Sequence, residues 1–173
     1  MTQISPVVLP AGPLTGGCQC SAVRYRLTGV PLTYYLCHCT ICQRQSGSAF
    51  GESLQMRAGD VEISGETVVH AYEGGSGTTV EARFCPRCHV RLTHRRADSE
   101  VAVIKAGTLD RRDWLRPAGH IFAATAQPWM PLDDTVALVD ADRPDMARLH
   151  DRWQLMLQAG NPCAEHDIEE TDR

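Results

Sequence analysis

A mainly β fold of many short strands, closed by one C-terminal helix, is predicted, and three observations carry the prediction. Short runs of alternating apolar and polar residues recur between turns rich in glycine and proline, the pattern of half-buried strands. Only residues 145–158 place apolar side chains (Met146, Leu149, Trp153 and Leu157) at helical spacing, and Gly160, Asn161 and Pro162 follow as a stop. The cysteines fall where strands end, as Cys37 does after the strand-like run 32–36 and Cys85 after 78–84.

Taken in order, residues 1–14 hold Pro6, Pro10 and Pro13 and read as an extended, poorly ordered lead-in. Residues 23–27 alternate as a first strand and 28–31 end it as a turn; residues 32–36 form a second strand that delivers the chain to Cys37. Residues 43–48 read as a polar loop or one short helical turn, 49–54 as a further strand, and 57–60 and 63–66 as turn-rich. Residues 67–72 and 78–84 are strands joined by a glycine-rich turn over 73–77. No Gly-Lys-Ser/Thr follows those glycines, so they mark a hairpin tip rather than a phosphate loop. Two more strands follow at 91–94 and 100–106, the second largely buried, then a turn at 107–112 and irregular, partly strand-like segments at 114–117 and 120–126. The expected organisation is a flexible segment 1–15, one domain over 16–135, a helical extension 136–160 and an acidic tail 161–173.

The chain of 173 residues is long enough for one real core. A net charge of -4 leaves no basic stripe for nucleic acid. No apolar run approaches the roughly 18 residues of a membrane span, and the N-terminus lacks a basic region followed by an apolar one. A cytoplasmic protein is expected. In that reducing compartment the eight cysteines read as metal ligands before disulfides.

Seven of the eight lie between Cys18 and Cys88, and four plus three is their natural partition. Cys85-Pro86-Arg87-Cys88 is half of a zinc knuckle, and Cys18-Gln19-Cys20 can supply the other half of a closed four-thiolate site. Redox chemistry at Cys85 and Cys88 is the alternative, but the βαβ setting of such dithiols is absent. Cys37, Cys39 and Cys42 stand too close for a disulfide framework, yet can converge on one zinc or another thiophilic ion, iron included. A closed structural site wants four ligands, whereas a reactive one keeps a position open for water or substrate. His89, His94 or His120 could arrive through the fold as a fourth ligand; His38, between two of the thiols, is poorly placed to do so.

The pattern Gly17-Cys18-x-Cys20, Val23-x-Tyr25, Cys37-His38-Cys39-x-x-Cys42 with Gly47, and Arg83-Phe84-Cys85-x-x-Cys88 resembles the glutathione-dependent formaldehyde-activating enzyme family, which also includes centromere protein V. Gly107-Thr108-Leu109-Asp110 and Pro117-x-x-His120-Ile121 with Trp129 look like its C-terminal half, so the match runs from about Gly16 to Leu132. The resemblance implies a β-tent-like fold of short antiparallel strands with two zincs per chain. One is structural, on Cys18, Cys20, Cys85 and Cys88. The other is catalytic, on Cys37, Cys39 and Cys42. His89 departs from the family, which has glycine there, a residue that would permit a positive φ.

Zinc on three thiolates carries a formal charge of -1 and is a weak Lewis acid, poorly suited to making hydroxide but able to hold a substrate thiol as thiolate. A carbon–sulfur lyase that forms or cleaves a thiol–aldehyde adduct such as S-hydroxymethylglutathione follows from the resemblance. Its partners are a small glutathione-like thiol and an aldehyde, with neither nucleic acid nor membrane. Arg44 could attract a carboxylate of the thiol, although a solvated loop arginine explains it better. The alternative is a non-catalytic, zinc-stabilised binding module, but a basic or low-complexity arm for it is missing. A thiol or metal sensor would recruit Cys163. The outer face of the helix could serve a homodimer, or simply be solvated.

Overall fold

The structure, a computed structural model, describes residues 3–74, 77–135 and 137–161. It is mainly β, with eleven short strands and two α-helices among the described residues. The strands are β1 (Leu14–Gly17), β2 (Arg24–Leu27), β3 (Thr33–Cys37), β4 (Gly51–Arg57), β5 (Val61–Ser64), β6 (Val68–Glu73), β7 (Thr79–Phe84), β8 (Arg91–Arg96), β9 (Val101–Lys105), β10 (Gly119–Ile121) and β11 (Leu138–Val139). The helices are α1 (Thr40–Ser46) and α2 (Met146–Gly160).

A small sheet runs β1-β2-β5 and a large one β11-β10-β3-β4-β9-β8-β7-β6. Leu14, Tyr25 and Leu27 of the small sheet share one buried cluster with Leu36, Leu54, Met56, Leu92 and Ile104 of the large one. Pairing is antiparallel except at β10, which runs parallel to both β3 and β11. This departs from an all-antiparallel expectation. The chain passes from β3 to β10 by way of residues 38–118, a long connection of the kind that parallel neighbours require.

Strands β3 and β4 are buried on both faces, which is why β3 reads as a run of apolar residues rather than an alternation. In the β3–β4 register Thr33 faces Gln55, Tyr35 faces Ser53 and Cys37 faces Gly51, so these six share one side of the sheet. Helix α2 covers that side. Thr33 donates to the Leu149 carbonyl (3.2 Å), and His150 Nε2 meets Gln55 Oε1 at 2.9 Å. Trp153, fully buried, donates its indole N–H to the Pro31 carbonyl (2.8 Å). Asp145 caps the helix by accepting from the amides of Ala147 and Arg148. Gly119 permits the close approach, since a Cβ there would stand 2.6 Å from Leu149 Cδ2.

The lead-in is not loose. Val7 is 1% exposed and its amide donates to the Met156 carbonyl (2.9 Å), while Arg152 donates to the carbonyl of Gln3 (2.8 Å). The prolines keep the segment extended, and α2 supplies the surface that holds it. Segment 57–66, expected as turns, contains β5, whose Val61 and Ile63 are half-buried against β2. Pro162, Cys163 and the acidic tail lie outside the described residues, as do Gly75 and Ser76 of the hairpin tip. Among the described residues no helix is long and apolar enough to cross a membrane.

Candidate metal centre

Two loops build the four-thiol cluster. In the first, β1 ends at Gly17 and the chain turns through Cys18 and Cys20, with the Cys18 amide donating to the Val23 carbonyl (2.9 Å). In the second, β7 ends at Phe84 and turns through Cys85 and Cys88, with the Cys85 amide donating to the Val90 carbonyl (3.0 Å). Each loop closes through one non-glycine residue in the left-handed region, Ser21 (φ 60) and His89 (φ 58). Position 89 therefore does adopt the conformation that a glycine would take easily, and histidine bears it.

The four sulfur atoms lie within 4.8 Å of one another, with Cys18 3.6 Å from Cys20 and Cys20 3.7 Å from Cys85. Thiolates about 2.3 Å from a tetrahedral ion would stand about 3.8 Å apart, so the spacing fits a metal. The Val23 amide donates to Cys18 Sγ (3.3 Å) and the Arg87 amide to Cys85 Sγ (3.4 Å), which stabilises thiolate charge. Cys88 is lowered to about 6, chiefly by the backbone at Val90. The cluster clips the β1–β2 corner of the small sheet to the β7–β8 corner of the large one.

Cys37 ends β3, Cys39 is the N-cap of α1, and Cys42 lies in its first turn. One turn of helix after a strand thus folds three thiols onto one point, their sulfurs within 4.8 Å of one another. Helix α1 buries no residue, so it carries no apolar stripe to betray it in the sequence. Hydrogen bonds from Cys37 and Cys42 hold Cys39 down to about 2, while the same sharing pushes Cys37 far up. No histidine or carboxylate joins this group among the described residues.

The ligand loop is braced from behind. His38 is fully buried, its Nε2 2.9 Å from His120 Nδ1, and its carbonyl accepts from Gln43 Nε2 (2.6 Å) and Thr125 Oγ1 (2.9 Å). His120 is thus a partner of His38, and His89 belongs to the other cluster's loop. His94 lines the cavity described next but stands outside the thiol group.

Two cavities meet at Cys42. The larger, about 540 Å³, reaches all three thiols and is roofed by residues 143–150. The smaller, about 290 Å³, touches Cys42 alone of the three and has the charged side chains Glu52, Arg91 and Lys105 in its wall. Gly51 explains how closely Lys105 approaches: a Cβ there would lie 2.9 Å from Lys105 Nζ and 3.4 Å from Cys42 Sγ, so both atoms crowd one point. Burial lowers the Lys105 ammonium, and Cys42 acts against that by favouring its charge. Arg91 is buried, donates to Tyr72 Oη (2.9 Å) and keeps Nε without a hydrogen bond. Sequence reading overlooked this pair, although a lysine closing the otherwise apolar run of β9 was a usable signal. Arg44 is exposed and lines neither cavity.

Burial pushes His94 well below its ordinary value, with the charges of Arg91 and Lys105 acting the same way, and its Nδ1 is buried without a hydrogen bond. The folded chain therefore resists a proton that the unfolded chain accepts near pH 6.5. Stability from this group is complete above that pH and falls below it, by up to about 1.4 kcal/mol per pH unit for one proton. Denaturant midpoints measured between about pH 7.5 and 5.5 are expected to fall, and His94→Gln to flatten the slope by about one proton's share. An unchanged slope in the variant would remove His94 from the account.

A β scaffold gathers seven cysteines into a four-thiol corner cluster and a three-thiol group facing a cavity, and each could hold a thiophilic metal. The sequence model of the glutathione-dependent formaldehyde-activating enzyme family matches residues 13–125, and the chain belongs to that family. A Halomonas elongata protein named "Putative glutathione-dependent formaldehyde-activating enzyme" is 30% identical over 155 residues, covering 86% of this chain and 88% of its own. The crystal structure of a Rhodobacter sphaeroides protein is similar with a TM-score of 0.46 and 20% identity, covering 57% of this chain and 90% of that one.

Proposed function

We propose that the chain is a zinc-dependent carbon–sulfur lyase that forms or cleaves the adduct of a glutathione-like thiol with an aldehyde, the chemistry suggested by the family's name. The observation that carries this is the three-thiol group: its sulfurs converge without a fourth protein ligand among the described residues, and it opens on a cavity. Cys37, Cys39 and Cys42 would hold the reactive zinc, and Cys18, Cys20, Cys85 and Cys88 a structural one. Bound there, zinc would supply a position at which a substrate thiol stays ionised near neutral pH.

The rest follows from this chain's own groups. Lys105 favours negative charge at Cys42, and the cavity it shares with Arg91 suits the carboxylates of the thiol. The His38–His120 pair, with Gln43 and Thr125, fixes the loop that carries the three cysteines. Walls that exclude water keep the electrostatics strong and limit loss of the aldehyde to hydration. The test is exchange between glutathione, formaldehyde and their adduct, followed by NMR with zinc-loaded protein. Exchange well above the uncatalysed rate is expected; a rate equal to it would defeat the proposal.

A further inference from the structure

The larger cavity is built unlike a pocket for a one-carbon substrate. Its volume of about 540 Å³ falls in the range, about 300–1,000 Å³, of sites that take whole small molecules. Its floor is one side of the large sheet, where Tyr35, Val80, Val101 and Val103 turn the same way, and Ile121 and Phe122 extend it past β10. The polar groups inside are neutral or engaged: Ser53, Gln55 bonded to His150 at 2.9 Å, and His94, which burial keeps uncharged. The two guanidiniums of its lining, Arg96 and Arg143, are exposed at the mouth. Lys105 and Arg91 stand in the wall of the other cavity, across Cys42. The site is therefore divided into a charged half and an apolar half with the three thiols between them.

The roof of the apolar half is Pro144, Met146 and His150, and these lie beyond residue 125, where the family match ends. We propose that the apolar half receives the carbon chain of a neutral, apolar aldehyde of several carbons, so that this chain acts on S-(1-hydroxyalkyl) adducts of a glutathione-like thiol and not on the hydroxymethyl adduct alone. The inference rests on the lyase reading above. In the forward direction the thiol sulfur bonds to the aldehyde carbon, the carbonyl π pair moves to oxygen, and that oxygen takes the proton the thiol gave up. The reverse breaks the same C–S bond and returns the proton to sulfur. No oxidant or reductant is needed.

Two measurements on the zinc-loaded full chain test this. S-methylglutathione and S-hexylglutathione, stable thioethers bearing one and six carbons, are compared by calorimetry. Five extra methylenes entering an apolar cavity are expected to tighten binding roughly tenfold or more. Exchange of glutathione with hexanal is compared with that of formaldehyde, and acceleration of the hexanal reaction is expected. Val103→Phe and Val80→Phe, each narrowing the cavity from a different strand, should both shrink the hexyl preference; two variants guard against one that fails to fold. Equal binding of the two thioethers, with formaldehyde exchange still accelerated, overturns the inference and leaves the lyase reading standing. A hexyl preference that survives in both folded variants puts the alkyl chain elsewhere and also overturns it. No acceleration with either aldehyde overturns the lyase reading, and this inference with it.

Discussion

Cys85→Ser is expected to abolish the cooperative thermal transition of the protein and leave a chain of largely unfolded far-UV signature. Cys85 is completely buried, and its cluster joins the corner of the small sheet to the β7–β8 corner. A structural zinc contributes an apparent folding free energy of about 10–16 kcal/mol, because its ligands converge only in the folded chain. A domain of this size has a net stability of only about 5–15 kcal/mol. Losing one of four thiolates therefore removes an amount comparable to everything the fold has in reserve. The replacement also leaves a hydroxyl at a completely buried position. A melt within a few degrees of the wild type would show that the four thiols do not hold a structural metal.

The opposite outcome is expected at the other cluster. Cys39→Ser should leave the fold intact, lower bound zinc from about two per chain to about one, and bring adduct exchange down to the uncatalysed rate. Serine is the informative replacement. Cys39 is the N-cap of α1 and accepts from the Cys42 amide at 3.3 Å, and a serine hydroxyl is among the best caps available. Helix α1 is therefore retained while the soft ligand is lost, whereas alanine would remove both and confound the result. Elemental analysis and NMR exchange on the same preparation decide the matter. Two zincs retained with exchange abolished would make Cys39 a reacting group rather than a ligand; two zincs with exchange unaffected would end the case for a reactive site at Cys39.

How far these sites were legible in the sequence follows from what each is made of. The thiol clusters rest on residues two or three apart, so local spacing announced them, and the pairing of Cys18 and Cys20 with Cys85 and Cys88 needed only the count of four. Strands such as β2 and β7 were readable because one face is buried and the other wet, as Tyr25 and Arg26 illustrate. Strand β1 was not, because Gly16 and Gly17 carry no pattern; Gly16 is small because the Tyr25 ring packs over it. Helix α1, which buries nothing, was legible only as a polar loop or one short helical turn over 43–48. The cavities were out of reach for a different reason. Their walls come from β3, β4, β7, β8 and β9 together with the start of α2, and only the register decides that Val103, Gln55 and Cys37 face the same way. The importance of Lys105 likewise depends on the absence of a side chain at Gly51, on the neighbouring strand β4.

The clasp between the lead-in and α2 has a consequence for the order in which the protein is made. Every described thiol has been synthesised once Cys88 leaves the ribosome. Helix α2 emerges long afterwards and docks on Thr33, Pro31 and Val7, groups that have been waiting since the start of synthesis. The three-thiol group thus faces an open cavity while the chain is being made and acquires its roof last. An N-terminal fusion that displaced Val7 would be felt at the far end of the chain, as a chamber left unsealed.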